Sequence, residues 1–161
     1  MQLSRREFSL AIGASLLAAP TARAAAPAGS ADAALTAFLD AAFEAEIALH
    51  PEQLTHLGRK EQQDRFTDPS DAAAAARLAW RRGSVAAMKK QFDRATLGED
   101  ARVSYDMWAL ELERAEASTK WRDHGYIFDR NGPHTGLPNF LINQHRVDTP
   151  ADMEAYVARV T

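Results

Sequence analysis

Cysteine is absent from this chain of 161 residues, and its absence excludes two classes of structure. Without it the chain forms no disulfide framework and has no thiolate to ligate a metal ion. Glycine is sparse and scattered at eight residues, so no Gly-rich phosphate-binding loop is present. The Gly-x-Ser-x-Gly nucleophile elbow is missing too. The common signatures of nucleotide-binding proteins and of serine or cysteine hydrolases are therefore lacking.

An excess of basic residues is also missing. The chain has 19 Lys and Arg against 22 Asp and Glu, a formal net charge of −3. Proteins that bind nucleic acid use a basic patch to neutralise phosphates, and peripheral membrane helices carry Lys and Arg on their polar face. We therefore expect neither a nucleic-acid partner nor a membrane-surface role.

The N-terminal segment is typical of a bacterial export signal. Paired Arg5 and Arg6 precede an apolar core, residues 10–19, and Ala22-Arg23-Ala24 provides a small-residue cleavage site. The arginine pair resembles the twin-arginine signal, which predicts cleavage after Ala24 and a periplasmic or secreted protein. The core has about ten residues, against the roughly 20 that span a bilayer, so no stable membrane span is expected. The alternatives are an ordinary basic N-terminus before an alanine-rich helix, and an uncleaved signal that tethers the protein.

The remaining chain divides into a flexible tail, residues 25–31, and a helical region, residues 32–161. Apolar residues recur there at spacings of three and four. The predicted fold is all-α, an irregular bundle of about five to six helices that forms an incomplete part of a larger helical fold. Predicted segments are a helix from residue 32, capped by Ser30 or Asp32, a short helix from Pro51 to Gly58, long helices over 70–95 and from 98, a short helix over 137–144 and a further helix from Thr149.

Three local features carry further expectations. Gly83 lies within a predicted helix, where glycine is unfavourable, so we expect a kink or a close helix neighbour. The helix from residue 98 has two adjoining apolar rows and should pack on two sides. Residues 119–136 are predicted to form a connecting loop, and we expect its large aromatic side chains to be buried.

The titratable residues give no strong metal or catalytic signature. No His-Glu-x-x-His helix occurs, and solvated or capping roles are expected for the five histidines, which are His50, His56, His124, His134 and His145. Carboxylates two residues apart, Glu44 with Glu46 and Glu111 with Glu113, point to different helix faces. A solvated helix face explains most of these carboxylates. We predict no catalytic residue, no metal ligand and no cofactor in this chain.

The aromatic loop holds the best candidates for a binding site. The residues that could form the wall of a substrate cleft are Asp123, His124, Tyr126, Asp129, Arg130 and His134. The alternative, which we favour, is local hydrogen bonding that fixes a packed loop.

Several motifs occur in order over roughly residues 32–161. They are Leu39-x-x-x-Phe43, Pro51 with Leu57-Gly58, Glu99-Asp100-x-x-x-Ser104-Tyr105-Asp106, Asn131-Gly132-Pro133-His134, Leu137-Pro138-Asn139-Phe140-Leu141, and Thr149-Pro150-Ala151-Asp152-x-x-x-Tyr156-x-x-Arg159. In their order and spacing these motifs resemble the N-terminal region of the bacterial domain-of-unknown-function family 885.

The resemblance implies a larger, mainly α-helical protein similar to zinc metallopeptidases of the carboxypeptidase type. Its chemistry would be zinc-activated water attacking a carbonyl, with a glutamate as general base. The family's His-Glu-x-x-x-x-Gly-His-like segment has no counterpart here, so no catalytic or metal residue carries over. Zinc is expected only in a full-length relative.

The leading hypothesis is an exported N-terminal helical scaffold of such a zinc-peptidase-like protein, inactive alone. The full-length protein would act on a peptide-like substrate, and its C-terminal portion would be the natural packing partner. The alternative is a self-contained exported binding module that uses the aromatic loop, residues 121–140. A purely structural envelope protein is a third interpretation, without a positive feature in the sequence.

Overall fold

A computed structural model describes residues 28–126, 128–130 and 132–161. These residues form six α-helices and no strand, which confirms the predicted all-α bundle. The helices are α1 (Ala28–Ile47), α2 (Pro51–His56), α3 (Asp71–Gln91), α4 (Glu99–Thr119), α5 (Pro133–Asn143) and α6 (Pro150–Val160). Single 3₁₀ turns, Arg94–Thr96 and Arg122–His124, follow α3 and α4. The predicted export signal, with Arg5, Arg6 and the cleavage site after Ala24, lies outside the described residues.

The first helix begins earlier than the sequence pattern predicts. α1 starts at Ala28, so residues 28–31 of the expected tail are helical. Alanine has the highest helix propensity, and Ala31 packs against the core. Asp32, expected to cap α1, instead accepts the backbone N–H of Gly98 through Oδ1 at 2.9 Å. Because Gly98 is the N-cap of α4, this bond joins α1 to the start of α4.

Other predicted helix termini are confirmed. Ser70 accepts a backbone N–H from the first turn of α3 at 3.2 Å. Thr149 and Asp152 form the reciprocal capping box at the start of α6. Gly58 follows α2 with a φ of +75°, the left-handed conformation that glycine adopts without steric cost. At these three helix ends the polar and glycine signals in the sequence predict the observed cap.

The apolar core lies between α1, α3 and α4. Its buried members are Leu35, Met88, Phe92, Leu97 and Tyr105. The Phe38 ring packs edge-on against Phe92 with a centroid distance of 5.7 Å. Full burial of each large apolar side chain contributes about 1.5–3 kcal/mol, so this three-helix contact is the main hydrophobic stabilisation of the fold.

Packing on α4 differs in part from the prediction. The row that contains Tyr105 faces the core, whereas Val103, Met107 and Leu110 are 53%, 58% and 40% exposed. α4 contacts two helices, α1 and α3, as expected of a helix that packs on two sides, but the described residues leave its Val103 row exposed. An apolar row of α4 is left uncovered.

Gly83 does not mark a close contact between helices. A Cβ atom at this position would meet no atom within 4 Å of the described structure. The expected close neighbour is absent, and α3 runs as one helix from Asp71 to Gln91. Glycine here costs about 1 kcal/mol relative to alanine with no packing gain.

The fifth helix also begins earlier than predicted, at Pro133 rather than Leu137. Gly132 is its N-cap and accepts the backbone N–H of Gly136 at 3.0 Å. Proline suits the first helical position because its missing N–H has no intrahelical partner there. The segment from Gly132 to Gly136 therefore starts a helix instead of forming the predicted turn.

A buried polar cluster, rather than apolar packing, holds α6 to α2 and the following loop. Arg159 is 5% exposed and donates to the carbonyl oxygens of Arg65 and Gln62 at 3.0 and 3.2 Å. Its Nη1 donates to the Thr55 hydroxyl at 3.1 Å. The guanidinium carbon lies 5.2 Å from the centroid of the Phe140 ring, an arrangement that allows a cation–π contact.

His145 belongs to the same cluster and is 6% exposed, so the expectation of a solvated or capping histidine is wrong here. Its Nδ1 lies 3.1 Å from Nη1 of Arg159. Since arginine only donates, Nδ1 accepts, and Nε2 carries the proton toward the Asp152 carbonyl oxygen at 3.3 Å. The geometry assigns a neutral His145 tautomer.

Candidate functional site

The described structure contains an open cleft of about 780 Å³. It runs along the first half of α3, between the end of α1 and the end of α4. Its lining residues are Glu46, Leu49, His50, Asp71, Ala74, Ala75, Arg77, Leu78, Trp80, Arg81, Ala115, Ser118, Thr119, Trp121, Arg122 and Asp123. Most of the exposed wall surface is apolar, although nine of the sixteen lining residues are polar and six of these are charged.

The inner end of the cleft is built around Arg81. Its guanidinium forms an ion pair with Glu46 and lies over the Trp108 ring, 5.1 Å from the centroid. Trp80 meets Trp108 edge-on at 6.5 Å. Burial lowers the pKa of Arg81, which stays far above neutrality because arginine is effectively always protonated. Glu46 is therefore a partner in a partly buried ion pair, and its predicted solvated role is wrong.

The other end of the cleft is closed by the turn after α4. Arg122 pairs with Asp71 at 2.8 Å and donates to the Pro69 carbonyl oxygen at 2.7 Å. These two bonds fix the turn against the start of α3. Asp123, the next residue, is exposed at the rim.

The middle of the cleft brings His50 and Arg77 together. Burial lowers the pKa of His50, the positive charge of Arg77 lowers it further, and Glu52 opposes them. His50 is therefore neutral at neutral pH. Arg77 also lines a second hollow of about 300 Å³ on the far side of Leu49 and Trp80, so it stands between two cavities.

The six candidates from the aromatic loop do not form one site. Asp123 lines the cleft, and the His124 ring stacks edge-on against Trp121 at 5.4 Å. Tyr126 is 90% exposed. The other three are exposed and lie outside the cleft: Asp129, Arg130 and His134. Whether any of these residues contacts a substrate stays a prediction.

The expectation that the loop buries its aromatic rings is wrong. Trp121 and Phe128 are 60% and 84% exposed. The Phe128 ring contacts His134 with a centroid distance of 6.0 Å, and Lys120 lies 5.2 Å from the centre of the Trp121 ring. These local contacts replace burial in the core.

The cleft residues that the sequence search missed are Glu46, His50, Arg77, Trp80 and Arg81. The sequence does contain a pattern that indicates three of these residues. Arg77, Trp80 and Arg81 follow the helical spacing of three and four residues, which places two arginines and an indole on one face of α3. Val85 and Met88 continue the same face in the second half of α3, where they are buried in the core.

The described residues do not fit a zinc site. Across residues 28–126, 128–130 and 132–161, no three His, Asp or Glu side chains lie close enough to share a metal ion. No helix in the same part of the chain is long and apolar enough to cross a membrane.

Comparison with known proteins gives one family match. Residues 51–161 match the model of the family described as bacterial protein of unknown function, DUF885. Neither the curated proteins nor the solved structures contain a match to the chain.

Proposed function

The chain belongs to the DUF885 family, and we propose that it is the exported helical scaffold portion of a larger protein that resembles zinc carboxypeptidases. In this proposal its helices wall and support a catalytic cleft. The metal and its ligands are contributed by other residues of the larger protein. The substrate of that protein would be peptide-like, as the family resemblance implies.

The observation that carries the proposal is the reversed polarity of α6. The helix buries Asp152 and Arg159, while Met153, Val157 and Val160 are 49%, 51% and 50% exposed. The apolar face of an amphipathic helix normally faces the core. Covering the exposed halves of these three side chains would contribute roughly 1 kcal/mol each, which supports a packing partner on this side.

A second uncovered row supports the same role. Val103, Met107 and Leu110 form an exposed stripe on α4, while the opposite side of α4 packs in the core. Exposed apolar patches that extend along an element mark interaction sites more often than isolated apolar residues do. Two helices of this chain thus offer faces suited to further helical packing.

Export is part of the proposal and rests on the sequence. Arg5 and Arg6, the short apolar core and the small residues before Ala25 support a cleaved twin-arginine signal. The location would then be the periplasm or the exterior, with residues 25–161 as the mature part of this chain.

The packing role is tested by changing the apolar face of α6. In Val157→Lys the isolated chain should lose less than about 0.5 kcal/mol of its free energy of unfolding, because the side chain is half exposed. The same change should abolish association with the remaining portion of a full-length DUF885 protein, expressed separately and mixed with the chain.

Ala158→Lys is the matched control, since Ala158 is exposed and lies about 100° from Val157 around the helix. It adds the same charge on another face and should leave association intact. Equal binding by the Val157→Lys and wild-type chains would refute the packing role, as would the absence of any association.

A second candidate function is a self-contained binding module in the region 121–140. One observation favours it: Trp121 and Asp123 line the large cleft together with α3 and α4. In that case the chain alone should bind its ligand, and the apolar faces of α4 and α6 would have no required partner.

A further inference from the structure

Two of the six charged residues that line the cleft along α3 form no ion pair with another lining residue. Three arginines and three carboxylates line the cleft, and two pairs form at its ends, Arg81 with Glu46 and Arg122 with Asp71. The remaining cation is Arg77 in the middle, and the remaining anion is Asp123. Asp123 is exposed at the rim, where water and salt screen its charge.

The guanidinium of Arg77 has N–H groups that could donate to a ligand. Its Nη1 donates to the Asp68 carbonyl oxygen at 3.0 Å, and its charge helps to lower the pKa of the exposed Asp68 carboxyl. No carboxylate of the described residues lies within 4 Å of the Arg77 guanidinium. A guanidinium presents five N–H donors in a planar fork that matches a carboxylate. The half-buried position of Arg77 reduces the screening of its charge by water.

A second unused donor belongs to a neighbour one turn along α3. Nη1 of Arg81 is buried and has no hydrogen-bond partner in the described structure. An unsatisfied buried donor is unfavourable, and it belongs to a residue that also lines the cleft. Because this atom is buried and Arg81 is already paired with Glu46, Arg77 is the guanidinium that stays available to an anion in the cleft.

The walls around these donors are apolar. Leu49, Leu78 and Trp80 flank the arginines, and Trp121 stands at the outer end. Apolar walls with a few polar groups are typical of sites for small organic molecules. From this combination we propose that the cleft binds a small organic carboxylate with an apolar or aromatic body, its carboxylate on Arg77 and its body against the tryptophans.

This inference goes beyond the scaffold role and is independent of it, because the cleft is formed entirely by described residues of this chain. Ligand binding by the cleft would hold whether or not the faces of α4 and α6 have partners. The inference also names a class of ligand for the second candidate function, the self-contained binding module. The experiment below therefore fails or succeeds separately from the association experiment with Val157→Lys.

The test uses the purified chain with 3-phenylpropionate as the probe and 3-phenylpropionamide as its neutral counterpart. Titration calorimetry measures the dissociation constants, and ligand-observed NMR checks for saturable contact. We expect the carboxylate to bind at least about tenfold more tightly than the amide. A hydrogen bond to a charged group contributes about 1.5–3 kcal/mol, and each 1.4 kcal/mol is tenfold in affinity.

Variants then locate the site. Arg77→Gln should weaken carboxylate binding at least about tenfold and leave amide binding nearly unchanged. Lys89→Gln is the matched control, because Lys89 is an exposed residue of the same helix outside the cleft, and it should change neither affinity. Ala75→Phe adds a ring at an exposed cleft position and should block both ligands without unfolding the chain.

Three results would overturn the inference. The first is the absence of saturable 3-phenylpropionate binding to the folded wild-type chain. The second is equal affinity for the carboxylate and the amide. The third is unchanged carboxylate affinity in folded Arg77→Gln and Ala75→Phe, which would place the ligand elsewhere.

Discussion

Replacement of Arg159 by methionine should be among the most destabilising single changes in this chain. The guanidinium donates to two carbonyl oxygens, one hydroxyl and one imidazole nitrogen, at 3.0 to 3.2 Å. Methionine has a similar length but donates no hydrogen bond, so these acceptors lose their partner in a region closed to water. Each hydrogen bond to a charged group contributes about 1.5–3 kcal/mol, and the values do not add fully. We expect a loss of about 3 kcal/mol.

Urea unfolding followed by circular dichroism would measure this loss. Arg146→Met is the matched control, because the Arg146 side chain is 69% exposed and its ion pair with Asp148 is long, at 3.5 Å. Such a surface change should cost less than about 0.5 kcal/mol. Hydrogen exchange should show that Arg159→Met exposes the amides of α6 first. A loss below about 1 kcal/mol for Arg159→Met would refute the idea that this cluster holds α6 in place.

Two glycines and one carboxylate give further predictions. Gly83→Ala should stabilise the chain by about 1 kcal/mol in urea unfolding, since a Cβ there meets nothing within 4 Å. Gly98→Ala should destabilise it by about 1 kcal/mol, because the new Cβ would lie 2.5 Å from the Asp32 carboxylate that accepts the Gly98 N–H. A change of the opposite sign at either glycine would contradict the prediction for that position. Lys60 lowers the pKa of Asp152 below its ordinary 3.8. The stability contributed by Asp152 is therefore complete above that value and lost as the pH falls below it. Acid titration of the melting temperature should be less steep below pH 3.8 in Asp152→Asn than in the wild-type chain.

The fold was predictable where local chemistry decides it. Helix propensity and period identified the helices, and the capping box at Thr149 and the glycine at 58 located two of their ends. Prediction from the sequence fails where contacts between distant parts of the chain decide the structure. Asp32 accepts the backbone N–H of Gly98 at the start of α4 instead of capping its own helix. No local sequence pattern predicts a hydrogen bond between residues that are 66 positions apart.

Burial was harder to predict than helix position. On α6 the period correctly identified an apolar face, but the buried face is the polar one, held by Arg159. Hydrophobic periodicity assumes that the apolar stripe faces the core. It fails when a buried arginine satisfies several backbone carbonyls at once. The exposed rings of Tyr126 and Phe128 show the same limit, since aromatic character alone does not place a side chain inside.

The cleft was predictable only in part. The position of Asp123 in the aromatic loop makes it a candidate from the sequence. Arg77 and Arg81 lie on a helix whose apolar spacing predicts only which residues face the core. The cleft arises where the ends of α1 and α4 meet the first half of α3, a meeting that needs the tertiary structure. A search for arginine and tryptophan on one helix face would have pointed to it.

The proposed scaffold role is tested most directly by isolating the protein from the bacterial cell envelope with an antibody against residues 28–161, then measuring its intact mass and metal content. We predict a polypeptide that begins at Ala25, exceeds the 17.7 kDa of this chain and carries a zinc ion on ligands outside residues 28–161. A polypeptide of residues 25–161 alone, or a tightly bound zinc held by side chains of this chain, would contradict it.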